Sequence, residues 1–333
     1  MVSLTVINLK DQSMNTRKIV LFMGAVLFIA TSLVAQKINK KTVKKHLYTL
    51  ASDEMQGRRA GTEGIEKAAQ YIESEFKRIG LTTFADLDSY RQTFTFKPRR
   101  SNDSITSSNI IGVLEGKGKK DEMVVISAHY DHLGMKKEGE GDLIFNGAND
   151  DASGVTGVLA LAEYYAKKGD NERTIVFIAF TAEEMGLIGS TYFGKGIDAS
   201  KFVAGINLEM MGKEPATGPK TAWLTGFDRS DFGKIIQKNL EGTGYQLFPD
   251  PYPQFGLFFR SDNASLARLG VPAHTFSTTQ IDKDPDYHQL SDEAETLDID
   301  VLTETIKAVA KGTESIINGK DTPTRVVIEE EKK

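Results

Sequence analysis

Two hydrophobic periods alternate along this chain. From Glu63 to Ile79 the apolar residues Ile65, Ala68, Ala69, Ile72 and Phe76 recur at three- and four-residue spacing, which predicts a helix with one buried face, and Gly80 is placed to end it. Val43 to Leu50, Val155 to Lys168, Asp231 to Leu240 and Leu302 to Ile317 read as further helices. Between them lie short apolar or β-branched runs: Asn109 to Leu114, Met123 to Ala128, Thr174 to Phe180, Val203 to Leu208 and Val271 to Phe276. These have strand length and no helical period, and Tyr90 to Phe96 alternates as a strand should. Pro98 to Ser108 is a polar loop. Strands alternating with helices predict an α/β fold, a three-layer α/β/α sandwich around a central mixed, mostly parallel sheet.

Polar residues of one chemical kind collect where the strands end. Met123 to Ala128 delivers His129-Tyr130-Asp131-His132-Leu133-Gly134, and Thr174 to Phe180 delivers Thr181-Ala182-Glu183-Glu184-Met185-Gly186. Val203 to Leu208 ends in Glu209. Gly147 to Gly154 places Asp150 and Asp151 at a loop-to-helix junction, and His288 lies in a polar loop after Val271 to Phe276. Strand carboxyl ends are where open α/β sheets keep their chemistry. Taken singly, a histidine or aspartate at a strand end is a turn residue more often than a ligand. Two imidazoles and three carboxylates, His129, Asp150, Glu184, Glu209 and His288, in this order describe a centre for two metal ions. Zinc accepts both donor types, and two ions ~3.5–4 Å apart need a bridging carboxylate and can hold one hydroxide between them. A further carboxylate must then act as base, and the neighbours Glu183 and Glu184 offer one of each role.

These segments resemble the di-zinc aminopeptidases of metallopeptidase clan MH, a group that also holds glutamate carboxypeptidase II and the single-zinc glutaminyl cyclases. The likeness runs from about Leu47 to about Gly312. It implies the same sandwich, two Zn2+ per chain, Asp150 as bridging ligand, His129 and Glu209 on one zinc, Glu184 and His288 on the other, and Glu183 as general base. Asp131 would orient the His129 ring by accepting its other N–H. Arg260-Ser261-Asp262-Asn263 departs from the family's Ser-Asp-His by an amide at Asn263, and Phe258 or Phe259 stands where some members carry a tyrosine. The oxyanion donor is left open among Tyr287, Arg260 and the zinc ions. Tyr287, Arg260 and Phe258 are the candidate substrate-binding residues. The activity implied is removal of amino-terminal residues from peptides. A glutaminyl cyclase-like single-zinc enzyme and a dipeptidase or glutamate-type carboxypeptidase are the alternatives, Arg260 being the candidate cation for a substrate carboxylate.

Bland readings cover the remaining polar residues. His46, in a Lys-rich stretch, is read as a solvated surface residue, His132 as shaping its loop and His274 as a core or pocket-wall histidine. Asp151 and Ser153 are read as caps of the following helix. Asp53 to Thr62 is read as a structural lead-in, Pro249, Pro251 and Pro253 as a rigid loop bordering the substrate pocket.

Composition narrows the partners. The 41 Lys and Arg against 46 Asp and Glu leave a net charge of −5, and no basic stripe with interleaved aromatics is present, so peptides rather than nucleic acid are the expected partners. The chain has no cysteine, which excludes disulfides and thiolate metal sites. Arg17 and Lys18 precede an apolar run from Ile19 to Ala30 and small residues up to Ala35, the form of a secretory signal peptide, and the run is shorter than the ~20 apolar residues of a spanning helix. The expected organisation is an upstream extension and signal over 1–35, one catalytic domain without a protease-associated insertion over 36–320, and a charged tail over 321–333. An exported protein with no stable membrane association after signal removal follows from this reading.

Overall fold

The computed structural model describes residues 37–99 and 103–327. The signal segment and the last residues of the tail lie outside the described residues. Ten strands run in chain order as β1 (Arg91–Phe96), β2 (Ile105–Leu114), β3 (Lys119–His129), β4 (Gly134–Met135), β5 (Ile144–Phe145), β6 (Arg173–Phe180), β7 (Phe202–Leu208), β8 (Thr221–Leu224), β9 (Gln246–Pro249) and β10 (Ala273–Ser277). Eight of them form one sheet in the order β1-β2-β6-β3-β7-β10-β8-β9, and β4 and β5 pair as a small ribbon. The central neighbours β6, β3, β7 and β10 are parallel; β1, β2 and the β10–β8 junction bring in antiparallel pairing.

Both faces of this sheet are buried, and strand periodicity divides the side chains between them. On β6, Ile175, Phe177 and Ala179 enter one core while Val176, Ile178 and Phe180 enter the other; on β3, Val124, Ile126 and Ala128 oppose Val125. Full burial of such a side chain contributes about 1.5–3 kcal/mol. The larger core is covered by α1 (Lys40–Leu50), α2 (Glu63–Ile79), α3 (Ser153–Lys168) and, farther along the chain, Phe232–Leu240 and Ile299–Gly312. Phe193 of the helix Ile188–Lys195 and Leu266 of the short helix Asn263–Ala267 cover the smaller one. The fold class read from the pattern is the one observed, and α2 ends at Gly80 with φ 89°.

Three local expectations change. β2 begins at Ile105, inside the stretch read as a loop, because its polar residues satisfy one another across the edge pair: Thr93 with Ser108 at 2.8 Å and Thr95 with Thr106 at 2.9 Å. Residues 321–326, read as tail, are anchored to the domain. Thr324 donates its N–H to Asp231 at 2.7 Å, Arg325 Nη1 donates to the Phe202 carbonyl at 2.7 Å, and Val326 is buried. His46 is buried rather than solvated, with Nδ1 2.7 Å from the Tyr71 hydroxyl, because it lies on the apolar face of α1 with Val43, Leu47 and Leu50.

Candidate metal centre

The site forms where β6, β3 and β7 end side by side. His129 is the last residue of β3. Glu183 and Glu184 follow β6 after Ala182, and Glu209 follows β7 before Met210. Ala182 (φ 56°), Met210 (φ 52°) and His288 (φ 58°) are non-glycine residues in left-handed backbone, so three of the turns that aim these side chains are strained. Such strain persists only where surrounding structure holds it. Asp150 comes from the loop before α3, and its peptide bond to Asp151 is cis.

Asp150 is the centre of the arrangement. Its Oδ1 lies 3.1 Å from His129 Nε2 and its Oδ2 lies 3.2 Å from His288 Nε2. Glu184 Oε2 is 3.3 Å from the same His288 nitrogen. Glu209 stands on the His129 side, where its carboxyl is pushed up to about 7 by burial, with the Asp150 charge adding to the rise and His129 opposing it. The sheet and two loops therefore bring His129, Asp150, Glu184 and His288 to within 3.1–3.3 Å of one another through Asp150 and His288, and the Glu209 carboxyl feels the charges of His129 and Asp150.

Hydrogen bonds fix these loops. Asp292 accepts the main-chain N–H groups of Asn149 (2.9 Å) and Asp150 (3.0 Å). Asp151 caps α3 through the Gly154 N–H at 3.0 Å and also accepts the Met210 N–H at 3.1 Å, tying the Asp150 loop to the turn after Glu209. Ser153 does not cap; it donates to the Asn149 carbonyl and accepts the Met211 N–H. The lead-in segment contributes more than its sequence announced. Arg58 is fully buried and donates to the carbonyls of Leu50, Tyr130, Asn146 and Gly147 at 2.6–2.9 Å. Gly57 beside it is obligatory, since a Cβ there would lie 2.3 Å from the Gly134 carbonyl oxygen.

Asp131 differs from its expected part. The His129 Nδ1 meets the main-chain carbonyl of Asp131 at 3.1 Å, while the carboxylate stands 3.8 Å away and instead accepts the N–H groups of Glu183 (3.0 Å) and Glu184 (3.4 Å). The residue positions the ring with its backbone and the glutamate turn with its side chain. His132, read as a loop residue, turns its buried ring toward Glu184, with Nδ1 2.9 Å from Oε1. No period links His129 and His132 at a strand exit, so only the turn itself could reveal this.

The charges are crowded. Burial, reinforced by Glu209, Asp262 and Glu184, raises the Glu183 carboxyl well above its usual range against the pull of His129. Burial also lifts Asp131 to about 7 and Asp262 to about 6. Burial works against a cation at His129, yet Glu183 and Asp150 outweigh it and raise its pKa well above the usual value. Burial alone would lift Asp150, but the close rings of His129 and His288 hold it well below the ordinary carboxylate value.

A small cleft opens beside Glu209. Trp223, Leu257 and Ile281 give it apolar walls, Thr225 and Thr275 a polar lining, and Arg260 and Tyr287 also face it. The Tyr287 ring stacks on His288 with centroids 4.0 Å apart, and burial together with the Asp150, Glu184 and Glu209 charges keeps its phenol protonated. Arg260 is exposed and forms no ion pair with Asp262, whose carboxylate is buried. Phe258 is not in this cleft. It is buried against His274 and under Arg229, because Gly226 lets the ring sit against the backbone. The proline-bearing loop likewise borders a separate surface hollow, through Pro249 and Pro253. His274 is a core histidine as expected, between the Thr225 carbonyl (2.9 Å) and the Ser230 hydroxyl (2.8 Å).

The donors fit a zinc centre. His129 Nε2 and Glu184 Oε1 are buried without a hydrogen-bond partner among the described residues, although carboxylate or imidazole atoms lie near each. Imidazole and carboxylate are the ligands that zinc takes in catalytic sites.

Known proteins share parts of this chain's sequence and its fold. Regions of the chain are 40% identical over 137 residues to the vacuolar membrane protease of Saccharomyces cerevisiae, covering 40% of this chain and 12% of that protein. Another match is 34% identical over 111 residues to aminopeptidase YwaD of Bacillus subtilis, covering 32% of this chain and 22% of that protein. The aligned part thus spans well under a quarter of the yeast relative. Among solved structures, the zinc aminopeptidase BSAP from Bacillus subtilis superposes with a TM-score of 0.68 at 17% identity, over 88% of this chain and 99% of that one. Porphyromonas gingivalis glutaminyl cyclase superposes with 0.66 at 17% identity, over 84% and 99%. At these identities the likeness is one of fold. The family model described as peptidase family M28 matches residues 109–313, the span that carries every residue of the centre, and the chain belongs to that family.

Proposed function

We propose that this protein is an exported aminopeptidase that holds two zinc ions and removes amino-terminal residues from peptides. The observation that carries the reading is the placement of Asp150, one carboxylate oxygen facing His129 and the other facing His288. A carboxylate so placed suits a bridge between two cations, with Glu209 completing one position and Glu184 the other. When bound, the ions would polarise the scissile carbonyl and make water acidic enough to attack at neutral pH.

The chain's own residues supply the rest. Glu183, with its carboxyl raised by burial and neighbouring acids, takes a proton from the attacking water and returns it to the leaving amine. Asp131 holds the glutamate turn through two N–H groups, which keeps Glu183 aimed. Tyr287, kept protonated, donates to the developing oxyanion. The substrate's free ammonium is held by the acids around Glu209, and its first side chain enters the cleft of Trp223, Leu257 and Ile281. Export rests on the sequence of residues 17–35.

Arg260 favours a second reading. Its exposed guanidinium faces the cleft and has no ion pair among the described residues, as a group awaiting a substrate carboxylate would. A dipeptidase or glutamate-type carboxypeptidase would use it so. Hydrolysis of aminoacyl chromogenic amides, amino-blocked peptides and glutamate-ended peptides, before and after chelation, separates the readings. Chelator-sensitive cleavage confined to free-amine substrates, with two zinc equivalents, supports the aminopeptidase; cleavage of blocked or glutamate-ended peptides supports the second reading. One equivalent with cyclising activity would point to the glutaminyl cyclase alternative.

A further inference from the structure

The five-residue set leaves unused a buried imidazole that lies beside it. His132 is 1% exposed, and neither ring nitrogen has a hydrogen-bond partner among the described residues. Leaving such atoms unsatisfied costs about 1–3 kcal/mol each, and a native fold carries that cost where the group has other work. The ring is also firmly seated. Its main-chain N–H donates to the Arg58 carbonyl at 3.2 Å, and Gly147 makes room for it, since a Cβ there would lie 2.5 Å from the ring.

What the ring faces points to its work. Nδ1 lies 2.9 Å from Glu184 Oε1, close enough for a hydrogen bond, yet both atoms lack one. Two such atoms, close to each other and both without a hydrogen bond, leave their lone pairs free for one shared cation. Nδ1 is also 3.9 Å from Asp150 Oδ2, and the donor atoms of His132, Asp150 and Glu184 all lie within 4.8 Å of one another. The same Asp150 oxygen and the other Glu184 oxygen face His288, whose ring meets that of His132 edge-on at 5.8 Å.

We propose that His132 is a further metal ligand, joining Glu184, His288 and the Asp150 carboxylate at one of two cation positions. The proposal rests on the di-zinc reading and adds an asymmetry to it. The His129 and Glu209 position holds one imidazole; the other holds two. A zinc–nitrogen or zinc–oxygen bond of ~2.0–2.2 Å lets one ion reach both Nδ1 and Oε1. The imidazole-rich position retains its ion longer against a chelator, and the His129 position is the first to empty.

Zinc K-edge absorption on the wild-type protein loaded with zinc, followed by zinc titration of His132→Ala and His132→Asn, tests this. Three imidazoles shared by two ions are expected in the wild type. In the variants, one equivalent should weaken by at least the roughly 10–100-fold that loss of even an outer partner costs, with the other equivalent unchanged. Two imidazoles over two ions, or variants with both affinities unchanged, overturn the role of His132 and leave the di-zinc reading standing. A wild-type protein that binds fewer than two ions overturns that reading and this proposal together. If neither variant folds, the wild-type imidazole count decides.

Discussion

The two sides of Asp150 are built by different means. On one side, His129 and Glu209 leave the neighbouring parallel strands β3 and β7, whose register is set by pairs such as Val124 with Ala204 and Ser127 with Asn207, and His129 is 1% exposed. On the other, Glu184 follows a left-handed alanine, and His288 stands in a loop with 35% of its side chain exposed and a left-handed backbone of its own. The strand side takes its geometry from the main-chain ladder. The loop side takes it from side-chain anchors: Arg58 on the Asn146 and Gly147 carbonyls, Asp292 on the Asn149 and Asp150 N–H groups, and Lys213 on Asp284 and Asp286. A loop can thus place a ligand closely, provided that buried polar groups replace the ladder.

Several substitutions break or sharpen this contrast. Glu183 feels the charges of both sides, His129 and Glu209 on one and Glu184 on the other, so Glu183→Gln should lower kcat by about 10²–10⁴-fold while zinc content measured by mass spectrometry stays at the wild-type level. Near wild-type turnover would remove it as the base. Arg58→Met should then strike the loop side through the fold. Four main-chain carbonyls lose their donor in a buried place, and denaturant unfolding of the metal-free protein should show a loss of at least about 3 kcal/mol.

His274 provides a control away from both sides. Burial lowers its pKa from 6.5 to about 4, so the folded state prefers the neutral ring. Because the unfolded ring takes up a proton first as pH falls, stability is intact above pH 6.5 and drains away down to pH about 4, by up to about 3 kcal/mol. Subtracting the stability curve of His274→Gln from that of the wild type should isolate this slope; parallel curves would refute it.

Smaller effects separate the sides themselves. In metal-free protein, His129→Ala should cost about 1–3 kcal/mol, since it empties a buried strand end, and His288→Ala less than about 0.5 kcal/mol. Equal costs would abolish the contrast. Lys213→Met should lower thermal stability, because the nearly buried Asp284 carboxylate loses its cation, and weaken one zinc equivalent by roughly tenfold, because it frees the loop that carries His288. An unaltered titration would mean that the loop is held elsewhere.

How much of this was legible beforehand depended on whether a residue's task was local. β3, β6 and β7 announce themselves as apolar runs because both sheet faces are buried, and His129, Glu183, Glu184 and Glu209 could be placed by where those runs stop. His46 was misplaced because lysines flank a helix face that is nonetheless apolar. Phe258 was assigned to the substrate cleft, but nothing local states that Gly226, distant in the chain, would admit its ring to the core. The second function of Asp131, holding the Glu183 turn, also needed a contact across strands.

The sequence by itself determined the sandwich, the order of its elements and the donor types at the strand ends, because burial period and strand length are properties of short stretches. Only the tertiary structure decided which oxygen of Asp150 faces which imidazole, that the Arg58 guanidinium knits four carbonyls beside the site, and that the His132 ring turns inward. Those outcomes depend on contacts between residues dozens of positions apart and on strained turns held by their surroundings, and no local pattern encodes either.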